Sequence, residues 1–286
     1  MKWQAAARMG VKMTTMAQDA KDQFIYRGTN KHKGRKIMIS PENSSMKHLE
    51  YGRIILDKDT RIAEFATAGR EIGLICLSGE CTIDVGGAVN ELKQYDSIYV
   101  PRDSAVKITT TSAVDLAECS AEVDNRYPLR VVRYDEIKQD SALSFDTGGE
   151  ANRRRVNITL GKNIEAGRIL AGFTTSQPGN WTSFPPHEHA EMLEELYVYY
   201  DMPAPAFGIQ LVYSNPDDPE FVGIVRDGDA VVMPSGFHPN VSVPGHPINF
   251  VWMMAAHREV EDRQFGVVNV QPGFDKGGSG LEASRK

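Results

Sequence analysis

Short runs of β-branched and aromatic residues alternate along this chain with clusters of Gly, Pro, Asn and Asp. One series comprises Ile72–Leu77, Cys81–Val85, Ser97–Val100 and Val106–Thr111; a second comprises Ile169–Thr174, Leu196–Tyr200, Ile209–Tyr213, Ala230–Met233 and Asn249–Met254. Such residues suit the pleated, half-buried surface of a sheet, and the clusters between them suit turns. Long stretches of helical period are scarce. The predicted class is therefore all-β, with many short strands closed into barrels or sandwiches.

The two series read as copies of one unit. YDSIYVPRDSA (Tyr95–Ala105) lies on GDAVVMPSGFH (Gly228–His238) without a gap, matching Asp96 to Asp229 and Pro101 to Pro234. Ala105 then stands where the second copy has His238, and residues 31–130 contain no His-x-His. A length of 286 residues fits two domains of about 150 residues each. The expected organisation is a loose N-terminal extension over 1–30, a metal-free barrel over 31–130, a metal-binding barrel over 131–275 and a loose tail over 276–286. The linker is expected near Tyr127–Glu150, where Gly148-Gly149 falls.

Composition narrows the partners. A net charge of −6 leaves little clustered positive charge for a phosphate backbone, so no nucleic-acid partner is expected. Three cysteines, Cys76, Cys81 and Cys119, cannot all pair and form no CxxC, which suits a reducing cytoplasmic setting. No apolar run has the length of a signal peptide or membrane span, so no membrane partner is expected. A homo-oligomer is compatible with all of this.

The chemistry concentrates in Pro185-Pro186-His187-Glu188-His189 and the AEMLEELYVYY that follows. On one strand the period of two puts His187 and His189 on the same face, within reach of a single ion. A carboxylate must join them. Glu194 shares its face with Leu196 and Val198, Glu195 with Tyr197 and Tyr199; taking the aliphatic face as the barrel interior favours Glu194. Further on, Asp227-Gly228-Asp229 opens a run ending Pro234-Ser-Gly236-Phe-His238, in which Gly and Pro turn the chain and return a fourth ligand. His32, His48, His246 and His257 show no such spacing. Three imidazoles and a carboxylate suit one divalent ion, Zn, Mn, Fe, Co or Ni.

These residues resemble the cupin superfamily, whose motifs read G-x5-H-x-H-x3-4-E-x6-G and G-x5-P-x-G-x2-H-x3-N. Here they stand as His187-x-His189-x4-Glu194 and Gly228-x5-Pro234-x-Gly236-x-His238. Within it the chain resembles, over residues 35–275, the 5-deoxyglucuronate isomerase family of myo-inositol breakdown, related to the 5-keto-4-deoxyuronate isomerases. The likeness is strongest in Pro178–His189, Glu194–Tyr200, Ile209–Tyr213, Asp227–His246 and the WMMAAHR segment ending at Arg258. It implies a bicupin of two antiparallel jelly-roll barrels, and conversion of 5-deoxyglucuronate, a small sugar acid, to 5-dehydro-2-deoxygluconate. A 5-keto-4-deoxyuronate isomerase, a cupin dioxygenase and a non-catalytic sugar-binding bicupin are the competing readings.

Aldose–ketose isomerisation needs a Lewis acid at the carbonyl and a base to carry the proton. Glu195, Tyr200 or a hydroxide on the ion are the candidates for the base. A uronate carboxylate calls for Arg. Arg258 is favoured because it follows the apolar strand Phe250–Met254; the run Arg153-Arg154-Arg155 is the other source, weighed slightly below a solvated charged strand. Tyr200, Gln210 and Tyr213 are expected to line the cavity.

Overall fold

The computed structural model describes residues 23–274, 276 and 278–285. The one α-helix among them is the four-residue Tyr134–Ile137, and antiparallel strands make up nearly all of the remaining regular structure.

In the first half the long strand Arg70–Val85 is the hub. Its beginning pairs with Ser97–Val100 and Val114–Glu122, its end with Ala88–Lys93 and Ala105–Thr109. The sequence places a turn at Ser78-Gly79-Glu80, but the structure has a register shift between Cys76 and Ser78 within one continuous strand. A bulge of this kind bends a strand, so that one strand serves two sheets. Gly79 is required there, since its φ is +76° and a Cβ would fall 2.0 Å from the carbonyl oxygen of Ala113. The interior is filled by Ile54, Leu74, Ile83, Ile98, Ile108 and Leu116.

The second half repeats the plan. A seven-stranded sheet runs in the order Ile25–Tyr26, Ala230–Met233, Leu193–Tyr199, Asn249–Ala256, Ile169–Ser176, Arg154–Leu160, Ser144–Thr147. A four-stranded sheet, Trp181–Thr182, Asn240–Ser242, Gly208–Val212 and Phe221–Val225, faces it. Tyr199 Oη reaches Gln210 Oε1 between the two layers.

Equivalent registers tie the halves together. Ile72 pairs with Val100 and Gly73 with Tyr99; Glu195 pairs with Met233 and Leu196 with Val232. Asp96 and Asp229, matched in the sequence overlay, are both buried and each accepts the amide of the residue three before it, Lys93 or Arg226. One apolar core joins the two sheet systems, with Ile39, Tyr51 and Tyr99 of the first packed with Ile169, Phe173 and Val251 of the second.

Both ends depart from the expectation of loose segments. Residues 1–22 lie outside the described residues, but Ile25–Tyr26 pairs with Ala230–Val231, Thr29 donates its amide to Gly228, and Arg27 forms an ion pair with Asp229 at 2.7 Å. At the other end Leu281 and Ser284 are buried, Thr147 donates to the Gly280 carbonyl, and Lys162 donates to the carbonyl of Ser284. Both segments have backbone groups that bond to the second barrel, which is why they lie against it.

Candidate metal centre

His187 stands on the short strand His187–Glu188, paired with Asn269–Val270, and His189 follows where the chain turns into Leu193–Tyr199. Both are buried while Glu188 between them is half-buried and bonds to Asn269, the alternation expected of the spacing. His238 arrives from the turn after Met233. Gly236 has a φ of +91°, and the amide of Phe237 pairs with the Tyr213 carbonyl to anchor the approach.

In all three imidazoles Nδ1 faces a backbone carbonyl: Pro185 for His187 at 2.9 Å, Leu193 for His189 at 3.0 Å, Gly236 for His238 at 2.8 Å. A carbonyl only accepts, so Nδ1 carries a proton in each ring and leaves Nε2 as the nitrogen that would meet an ion, the arrangement by which proteins orient metal-binding histidines. His189 Nε2 bonds to Glu195 Oε2 at 3.0 Å. His238 Nε2 lies equally close to that oxygen but off the hydrogen-bonding line, and it is a buried nitrogen with no hydrogen-bond partner. His189, Glu195 and His238 offer ligand atoms all within 4.8 Å of one another. His187 stands beside them, its ring 5.1 Å from that of His238 and 6.5 Å from that of His189.

The carboxylate at this centre is Glu195, which corrects the expectation of Glu194. Glu194 points to the other side of its strand, where Oε1 accepts the amides of His48 and Leu49 and Oε2 that of Lys47, at 2.6 to 2.7 Å. The face shared by Glu194, Leu196 and Val198 is not the barrel interior. It packs against the first half, where Phe173 in the same sheet stacks on Tyr95 at 4.6 Å. The aromatic face of Tyr197 and Tyr199 is the inner one. In the first half the register puts Ile72 where the second has Glu195, and Glu71 where it has Glu194.

Electrostatics follow from burial. Burial, reinforced by His238, holds His187 down at about 3. For Glu195 burial works upward but is outweighed by His189 and His238, leaving it at about 2. Burial pulls His189 down, and its bond to Glu195 more than reverses this, so its pKa is raised. A carboxylate held ionised among imidazoles is a donor set of the kind a borderline divalent ion takes. One oxygen of Glu195 lies 3.0 Å from Nε2 of both His189 and His238.

The enclosing cavity has about 40 Å³ of free space, below the several hundred typical of small-molecule sites. Phe265, Val267, Val268 and Leu281 line it, and Phe250, Trp252 and Met254 of one strand form a wall. Its other polar side chains are Thr174, Ser183, Tyr197 and Arg154. The sequence-derived substrate residues are elsewhere. Arg258 is on a surface turn, paired with Asp262 and Glu261 at 2.6 Å each. Arg155 faces outward to Asp146 and Ser144. Tyr200 is buried with Tyr95 at the junction of the halves. Gln210 and Tyr213 support the centre from behind: Gln210 Nε2 donates to the His238 carbonyl, and Tyr213 Oη donates to Gln271. Arg154, part of the run set below Arg258, is the arginine at the cavity. Its signal was alternation, since it shares a strand face with the cavity residue Val156.

Barrel and site together define the cupin class. The chain superposes with a TM-score of 0.78 on an IolB-like protein from Salmonella typhimurium LT2, at 20% identity over 88% of this chain and 98% of that one. An oxalate decarboxylase follows at a TM-score of 0.59 and 11% identity, covering 81% and 76%. The chain belongs to the KduI/IolB family, whose profile matches residues 24–268. Among its relatives are the 5-deoxy-glucuronate isomerase of Geobacillus kaustophilus (strain HTA426), 25% identical over 78% of this chain and 84% of the relative, and that of Bacillus subtilis (strain 168), 26% identical over 76% and 84%.

Proposed function

We propose that this protein is a metal-dependent aldose–ketose isomerase that converts 5-deoxyglucuronate to 5-dehydro-2-deoxygluconate. Its relatives' names supply the substrate and the class of enzyme. The observation that carries the reading is the buried trio of histidines whose Nδ1 atoms are tied to carbonyls, two of which, His189 and His238, bring Nε2 to 3.0 Å from Glu195 Oε2. In this reading His187, His189, Glu195 and His238 hold one divalent ion. When bound, the ion supplies Lewis acidity to the substrate carbonyl. A solved oxalate decarboxylase of the same fold is described as having Mn(II) centres, which supports an N/O site of this type.

The protein's own groups set the surroundings. The Tyr197 hydroxyl, 2.6 Å from Ser183 Oγ and held protonated by burial, is a hydrogen-bond donor inside the cavity. Phe250, Trp252 and Met254 exclude water on one side, which limits side reactions of a reactive carbonyl.

The test is elemental analysis of the purified protein together with NMR of its reaction with 5-deoxyglucuronate. About one divalent metal per chain, ketose formation, and loss of both on chelation with recovery on re-addition are expected. Full turnover by the metal-stripped protein, or no conversion by the loaded one, would overturn the proposal.

A further inference from the structure

Arg154 is a charge set deep in the protein without a matching one. Its residue is 3% exposed, and among the described residues its guanidinium makes one hydrogen bond, from Nη1 to the Asn152 carbonyl at 3.0 Å, and no ion pair. Burial pulls its pKa down to about 10, so the charge is held at a cost. Glu282 offsets part of that cost from a distance, but its Oε1 is already taken by the amides of Ser279 and Gly280. Two glycines leave room around the fork. A Cβ at Gly148 would lie 3.0 Å from Nη1 and one at Gly280 would lie 2.8 Å from Nη2. Both glycines have positive φ.

An isolated buried cation is expensive, and proteins retain it where an anion arrives to pair with it. Arg154 lines the same cavity as His187, His189 and Glu195. We infer that Arg154 is the subsite for the carboxylate of the substrate, binding it through its planar fork while the other end of the same molecule meets the histidine centre. This rests on the isomerase reading for the identity of the acid, but the recognition of a short-chain carboxylate does not require turnover. With about 40 Å³ free, the cavity must widen to admit a six-carbon acid.

The test uses the metal-loaded full chain and titration calorimetry with 5-deoxyglucuronate and the neutral 5-deoxyglucose. The parent is expected to prefer the acid by roughly ten- to hundredfold, the range of one charge-assisted pair. Arg154→Gln should bind both sugars alike, with metal content unchanged and melting temperature no lower, since an unpaired buried charge has been removed. Arg154→Lys should recover part of the preference, as it restores charge without the fork. Arg155→Gln, on the outer face, should behave as the parent does. A parent without charge preference, or an Arg154→Gln protein that keeps it, would overturn the assignment. In a protein that prefers the acid through Arg154 yet never isomerises it, the subsite stands and the isomerase reading falls. Turnover with an unchanged KM in Arg154→Gln gives the reverse.

Discussion

Glu194 and Glu195 are chemically identical neighbours with unrelated work. Each oxygen of Glu194 is occupied by main-chain amides of the first half, three in all. Glutamine at 194 has one acceptor oxygen and one NH2, so at least one amide would face a donor. Hydrogen bonds to a charged group contribute about 1.5–3 kcal/mol each, and a buried donor left unmatched costs a similar amount. Glu194→Gln should therefore lower the melting temperature by several degrees while metal stoichiometry is kept. Glu195→Gln should do the opposite, leaving the fold near the parent's stability and weakening the metal, because a neutral amide brings no charge to the ion. Calorimetry and metal analysis on the two variants separate these roles. The reverse pattern would return Glu194 to the ligand set.

At the scale of the elements, close approach of strands decides what a position tolerates. Gly73 on the hub strand meets the second half so closely that a Cβ would lie 2.3 Å from Leu160 Cδ1 and 3.2 Å from Ile169 Cδ1, both ends of side chains that can shift. Gly172 is tighter in kind. Its Cβ would fall 2.1 Å from the backbone carbonyl of Asn157 and 2.3 Å from the Trp252 ring. Overpacking that a side chain can relieve costs roughly 1–3 kcal/mol, whereas a backbone oxygen cannot rotate away. Gly172→Ala should destabilise more than Gly73→Ala in thermal melts, and it should also depress turnover because Trp252 is a wall of the site. Equal melting temperatures for the two would remove this account of the packing.

The whole molecule is clasped by a reciprocal exchange of carboxylates. Glu194 of the second half takes the amides of residues 47–49, and Glu71 of the first takes those of Gly167, Arg168 and Ile169. With a hydrophobic core running across the same junction, unfolding of either half would expose apolar surface of the other. Scanning calorimetry of the metal-free protein should then give one unfolding transition; two well-separated ones would mean that the halves unfold independently. Much of this was legible in the chain. The alternation of short strands, the overlay of Tyr95–Ala105 on Gly228–His238 and the His-x-His spacing pointed to an all-β fold with its histidine centre in the second half. Laying Glu71-Ile72 on Glu194-Glu195 would also have carried a signal, because the half without a His-x-His pair keeps the first carboxylate and replaces the second by an apolar residue. What the sequence by itself determined was periodicity: which residues share a face and which alternate. Which face is the inside was decided only by tertiary structure. A period of two defines two faces equally well, and the aliphatic one at Glu194 was claimed by the other half of the molecule, leaving the aromatic one to line the barrel. The same choice put Arg154 inside and Arg155 outside, and left Arg258 to its neighbours on a surface turn.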